Sequence, residues 1–208
     1  MRGTVASMDI ENHRVTVAKQ STEQEPEIVG YDYLMFVVDS MTNLDGVAGV
    51  REHAYSLNRS GTRSIEDLRT LLPVLNDSNG RRVVAGGGPT GVEAAAEFAE
   101  SHPGMRVTLT THGDVVPLFP GKPREHVMKR LSELEVEVRP HTKVTRVVAA
   151  TLSAEGVGDL PVDASLWCGG FSAPPLARQS GLTVNDRGQV LVDATTRSIS
   201  HPVAALAR

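Results

Sequence analysis

Only one cysteine, Cys168, occurs in the 208 residues. No disulfide can therefore close within the chain and no C-x-x-C pair is present, which removes chemistry on an internal dithiol. Aromatic residues are scarce, with four Phe, three Tyr and one Trp, too few for a base-stacking surface. Cations are outnumbered, 21 Lys and Arg against 25 Asp and Glu, for a formal charge of −4. Nucleic acid is not the expected partner, because phosphate backbones are held by clustered cations. Long apolar runs are missing too. The longest strongly apolar run, Leu34-Met35-Phe36-Val37-Val38, falls far short of the roughly 20 residues that cross a bilayer. The opening M-R-G-T-V-A-S-M-D-I-E-N has no apolar stretch of signal-peptide length. No transmembrane segment is expected, and the expected location is the cytoplasm, with peripheral attachment to a membrane left open. Seven histidines show no metal-ligand spacing, so no metal site is expected.

What is present fits a globular chain: 40% hydrophobic and 22% charged residues, enough for one or two domains of about 100–150 residues. Residues 1–40 read as a β-meander. Val5 to Ile10 and Val15 to Ala18 are short strands, Gln20 to Glu27 is a polar loop, and Ile28 to Val38 is a strand buried on both faces in its second half. From Ser64, a natural N-cap, the residues Ile65, Leu68, Leu71, Leu72 and Leu75 repeat with helical period. Pro73 is expected to kink or end that helix early. Asn76-Asp77-Ser78-Asn79-Gly80 reads as a domain boundary. Strand and helix then alternate over 81–139, β-prone segments fill 143–168, and one clear strand, Gln189 to Val192, stands in the loop-rich remainder.

The stretch R-R-V-V-A-G-G-G-P-T-G-V-E-A-A-A-E holds G-x-G-x-x-G at Gly86, Gly88 and Gly91, directly after a strand and before a helix. Each glycine has a distinct job in a dinucleotide-binding turn. Gly86 permits the tight turn, Gly88 lets the backbone approach a pyrophosphate, and Gly91 lets helix and strand pack closely. Pro89 opens the helix, and the N–H groups around Thr90 and Gly91 face the anion at its positive end. The alternative is a strand-to-helix turn without a ligand. Glu93 reads as a first-turn residue that gains from the helix dipole. A carboxylate for the ribose is due about 20 residues further on. Thr111 and His112 stand there, ahead of Asp114, so the choice between NAD and NADP stays open. Cys168 reads as a small buried residue rather than a nucleophile.

V-V-A-G-G-G-P-T-G-V-E-A-A-A-E resembles the NAD(P)H fingerprint of FAD-dependent pyridine nucleotide oxidoreductases, the group of type II NADH dehydrogenases and apoptosis-inducing-factor-like proteins. I-V-G-Y-D-Y-L-M-F-V-V-D-S, L-W-C-G-G-F with Gly170, and G-L-T-V-N-D-R-G-Q-V-L-V-D-A-T-T-R-S-I-S-H-P-V-A-A-L-A are similar to that family's flanking segments. The resemblance implies an α/β fold, with a Rossmann-type NAD(P)-binding domain at 76–170. That domain is inserted in an incomplete FAD-binding domain built from 1–75 (the antiparallel meander) and 171–208 (C-terminal strands). It implies hydride transfer from NAD(P)H to FAD, then electrons to a quinone or small electron carrier. Where the family has an Ala-Thr-Gly-Ser turn by the flavin, this chain has Val37-Val38-Asp39-Ser40, a departure that puts a carboxylate beside a diphosphate. The FAD site is therefore expected to be incomplete, needing a partner chain or homo-oligomer. The alternative is an NAD(P)-binding module or fragment without redox turnover.

Overall fold

A computed structural model describes residues 3–19, 25–58, 63–202 and 204–206. Of the polar loop expected at Gln20 to Glu27, positions 20–24 lie outside the described residues. Contacts divide the chain into a discontinuous unit, Met1–Met41 with Ser172–Arg208, and a continuous one, Thr42–Phe171.

In the discontinuous unit, β1 (Gly3–Asp9), β2 (Arg14–Lys19) and β3 (Glu27–Gly30) form an antiparallel meander in that order. The Asp9 carboxylate accepts the backbone and side-chain N–H groups of Asn12 at 3.0 and 2.8 Å, which locks the first turn. β4 (Leu34–Phe36) instead pairs in parallel with Ala204–Leu206. The single strand expected from Ile28 to Val38 is thus broken at Tyr31-Asp32, where the chain changes partners. Burial on both faces is also corrected: Phe36 joins the core of Met8, Ile10, Leu182 and Ala204, whereas Met35 and Val37 are 69% and 67% exposed. Side chains alternate across a strand, and only one face of β4 has a core to meet. The strand expected at Gln189 to Val192 is reduced to isolated bridges, Val184 to Val190 and Val192 to Ser198. The Asn185 side-chain oxygen accepts N–H groups of both Arg187 and Gln189 at 3.0 Å, curling the chain too tightly for a ladder.

The first long helix of the continuous unit is α1 (Ile65–Asp77), after a single turn at Val50–His53. Ser64 caps it in a reciprocal box with Asp67, as its position in the sequence indicates. The helix runs through Pro73, against the expectation of an early stop. Leu68, Leu72 and Leu75 all reach the core, and their burial, at about 1.5–3 kcal/mol each, outweighs the roughly 3 kcal/mol cost of an interior proline. Next come β5 (Arg81–Ala85), α2 (Pro89–Ser101), β6 (Arg106–Thr110), α3 (Lys122–Glu133) and β7 (Glu137–Arg139). An antiparallel meander follows, β8 (Val144–Val148), β9 (Thr151–Ala154) and β10 (Gly158–Pro161), before β11 (Ala164–Trp167).

The central sheet is parallel, in the order β11-β5-β6-β7. Apolar side chains pack on both of its faces. Val84, Leu109 and Leu166 pack with the helices. Val83, Ala85 and Trp167 pack with Val147 and Leu152 of the meander. The boundary expected at 75/76 falls inside this unit. Tyr55 extends the sheet, its N–H donating to the Ser165 carbonyl and its own carbonyl accepting from Trp167, both at 2.8 Å. α1 lies in the same core, and Val50 and Ala54 pack with Val83 and Ala85 of β5.

Candidate functional site

β5 ends at Ala85 and the chain turns sharply into α2. At Gly86 φ is +136°, and a β-carbon there would collide with the carbonyl oxygen of Cys168 at the end of β11. A β-carbon on Gly91 would collide with the carbonyl oxygen of Gly86. These two glycines are demanded by the protein itself. Gly88 differs: its φ of −72° and ψ of 174° suit any residue, and a β-carbon there would meet nothing within 4 Å. Gly87, which the sequence reading passed over, is also required, since its β-carbon would stand 2.6 Å from the Thr111 hydroxyl.

No side chain caps the N-terminus of α2. The first-turn amides of a helix have no intrahelical acceptors and carry partial positive charge, so the Thr90 and Gly91 N–H groups form an uncapped donor end. Pro89 sits at the first helical position, where a missing N–H costs nothing. Glu93 is corrected: the helix begins at Pro89, its first turn holds no acidic residue, and Glu93 lies exposed beyond the reach of the end charge.

Along the C-terminal ends of β5 and β11 runs a cleft of about 520 Å³, lined by residues that include Gly86, Gly87, Gly88, Thr111, His112 and Gly170. This is where strand order reverses in the sheet, the position at which parallel α/β sheets hold ligands. Pro89, Thr90, Gly91 and Glu93 do not line the cleft. Lys143, Trp167 and Cys168 do. Lys143 gives no local sequence signal, because tertiary bonds bring it to this lip: the Thr142 N–H donates to the Thr111 carbonyl at 2.8 Å, and the Thr142 carbonyl accepts the Thr110 hydroxyl at 3.1 Å. Trp167 is fixed by its indole N–H, which donates to the Asn43 carbonyl at 2.9 Å. Burial pushes the Cys168 thiol up to about 12, so it is neutral near pH 7 and no nucleophile. Among the described residues no Asp or Glu lines the cleft. Asp114 is drawn off instead, 2.8 Å from Arg124 and 3.3 Å from His141. A larger hollow, about 840 Å³, opens at the other ends of the strands, but four glutamates line it (Glu100, Glu133, Glu135 and Glu137), the wrong charge for a diphosphate.

A parallel sheet with an uncapped glycine turn at its switch point defines the doubly wound class of dinucleotide-binding domains. The pyridine nucleotide-disulphide oxidoreductase model matches residues 1–205, and the chain belongs to that family. Demethylphylloquinone reductase NdbB of Synechocystis is 26% identical over 201 residues, covering 91% of this chain and 48% of that protein. NADH dehydrogenase-like protein YutJ of Bacillus subtilis is 26% identical over 198 residues, covering 91% of this chain and 51% of that protein. The chain spans about half the length of these curated relatives. Among solved structures, NDH2 of Plasmodium falciparum in complex with NADH superposes with a TM-score of 0.78 at 20% identity. It covers 99% of this chain and 48% of its own. The fold is therefore that of the family.

Proposed function

We propose that this chain is the NAD(P)H-binding part of an FAD-dependent oxidoreductase. Gly86, Gly88, Pro89, Thr90 and Gly91 form the pyrophosphate turn, and Thr111, His112 and Gly170 border the cleft that takes the rest of the dinucleotide. Glu93, exposed on α2, stands outside this set. Gly88 carries the reading. Neither its own conformation nor any protein neighbour requires a glycine there, which leaves close approach of a ligand as the demand. On this reading Thr42–Phe171 is the dinucleotide unit, and Met1–Met41 with Ser172–Arg208 is the FAD-side portion.

NAD(P)H bound in the cleft would supply a hydride, and the family's FAD would accept it. The residues here bind and orient: the uncapped amides of α2 hold the diphosphate charge, and Trp167 and the neutral Cys168 wall the cleft. A quinone is the proposed acceptor, after relatives named demethylphylloquinone reductase and NAD(P)H-ubiquinone oxidoreductase. No helix among the described residues is long and apolar enough to cross a membrane, and peripheral attachment is the proposed route to such an acceptor.

One observation favours a binding module without turnover. Beyond β4 the chain reaches Asp39, whose carboxylate accepts the Ser40 N–H at 2.8 Å, so a charged side chain occupies the turn where the family places glycine. The visible spectrum separates the two readings. A flavin band bleached by NAD(P)H supports the oxidoreductase. A colourless chain stabilised by dinucleotide, by about 2.7 kcal/mol at a hundredfold excess over Kd, supports the binding module. Gly88→Leu is expected to remove that stabilisation, and retention of it would overturn the turn assignment.

A further inference from the structure

An NAD-selective site places a carboxylate at the end of the second strand, where it accepts the ribose 2′-hydroxyl and repels a 2′-phosphate. The second strand here is β6, and its continuation at Thr111 is held firmly. The Thr111 N–H donates to the Arg139 carbonyl at 3.1 Å, and the Thr111 carbonyl accepts the Thr142 N–H at 2.8 Å. A neutral, buried threonine thus stands where the acid would. The Thr111–Thr142 pairing also fixes what comes next on each side: His112 follows one partner and Lys143 the other. Both are exposed and both line the cleft.

The acids nearby do not cancel the Lys143 charge. Asp114 is engaged by Arg124 and His141 and lies off the cleft. Glu155 pairs with the Lys143 ammonium at 3.1 Å, but both side chains are more than half exposed. Such a pair is worth little in water and yields readily to a dianionic phosphate offering several acceptor oxygens. With the cleft read as a dinucleotide site, we infer that its lip selects the 2′-phosphorylated cofactor, NADPH over NADH, and that Lys143 and His112 hold the 2′-phosphate.

The single tryptophan reports on this directly, because Trp167 lines the cleft. The 208-residue chain is titrated with NADPH and with NADH while Trp167 fluorescence and the melting temperature are followed. NADPH is expected to bind at least about tenfold tighter, the size of one charge-assisted hydrogen bond. That preference is expected to shrink as salt rises. Lys143→Ala is expected to cut the NADPH-to-NADH ratio about tenfold, and His112→Ala to cut it further. NADH binding as tightly as NADPH would overturn the selectivity while leaving the dinucleotide reading in place. Lys143→Ala weakening both cofactors equally would overturn the phosphate role of Lys143. If neither cofactor changes the fluorescence or the melting temperature, the dinucleotide reading itself falls.

Discussion

The carbonyl oxygen of Gly86 occupies the space that a β-carbon on Gly91 would need. Strand and helix therefore meet backbone to backbone at the fingerprint turn, with no room for a methyl group, while Gly88 between them faces open space.

Gly91→Ala is accordingly expected to destabilise the protein by about 3 kcal/mol or more, because the obstructing atom belongs to the backbone and cannot swing aside. Gly88→Ala is expected to change stability by less than about 0.5 kcal/mol. Chemical denaturation of the two variants checks this. Equal costs would mean that Gly88 is structural after all.

Arg82 is 1% exposed on β5, and its guanidinium nitrogens have no hydrogen-bond partner among the described residues. It lies 4.2 Å from the Phe98 ring centroid. Burial lowers its pKa to about 10, so it is charged at neutral pH and its desolvation cost is fully present there. As pH climbs past about 10 the folded state loses this proton before the unfolded chain does, and the cost shrinks. Arg82→Met, of similar volume, is expected to raise stability at pH 7 by about 1–3 kcal/mol, net of the lost contact with the ring. A lower denaturation midpoint in urea would refute it.

Cys168 is the only thiol. A shift from 9.0 to about 12 leaves it with roughly a thousandfold less thiolate near pH 8, and thiolate is the reactive form. A maleimide should label the native chain slowly and the urea-unfolded chain fast, with bound dinucleotide slowing the native reaction further. Equal native and unfolded rates would show the thiol to be freely accessible.

Much of this was legible in the sequence because it is local. The G-x-G-x-x-G spacing, the cap at Ser64 and the leucine stripe of α1 each declare themselves within a few turns of chain. Gly87 was not, because its constraint is the side chain of Thr111, brought alongside by β6. Lys143 reaches the cleft through the bonds of Thr142 to Thr110 and Thr111, residues more than 30 positions earlier. The run Leu34 to Val38 misled because composition does not tell whether a strand has neighbours on both faces. Asn76 to Gly80 looked like a boundary, yet the Gly80 N–H donates to the Leu75 carbonyl at 2.7 Å, a helix stop inside one core. Tyr55, far along the chain from β11, packs in that core, while Val50 and Ala54 before it pack with Val83 and Ala85.

The Asn43 N–H donates to the Gly170 carbonyl at 2.9 Å, so the first and last residues of the continuous unit lie side by side. The discontinuous unit must join two segments separated in sequence by all of residues 42–171. In an unfolded chain that is a long loop to close, with a matching entropy cost. Once Thr42–Phe171 has folded, its clamped ends deliver Met41 and Ser172 to one place and the loop is effectively gone. The closed ends of the inserted unit thereby lower the entropy cost of joining the two segments of the interrupted one.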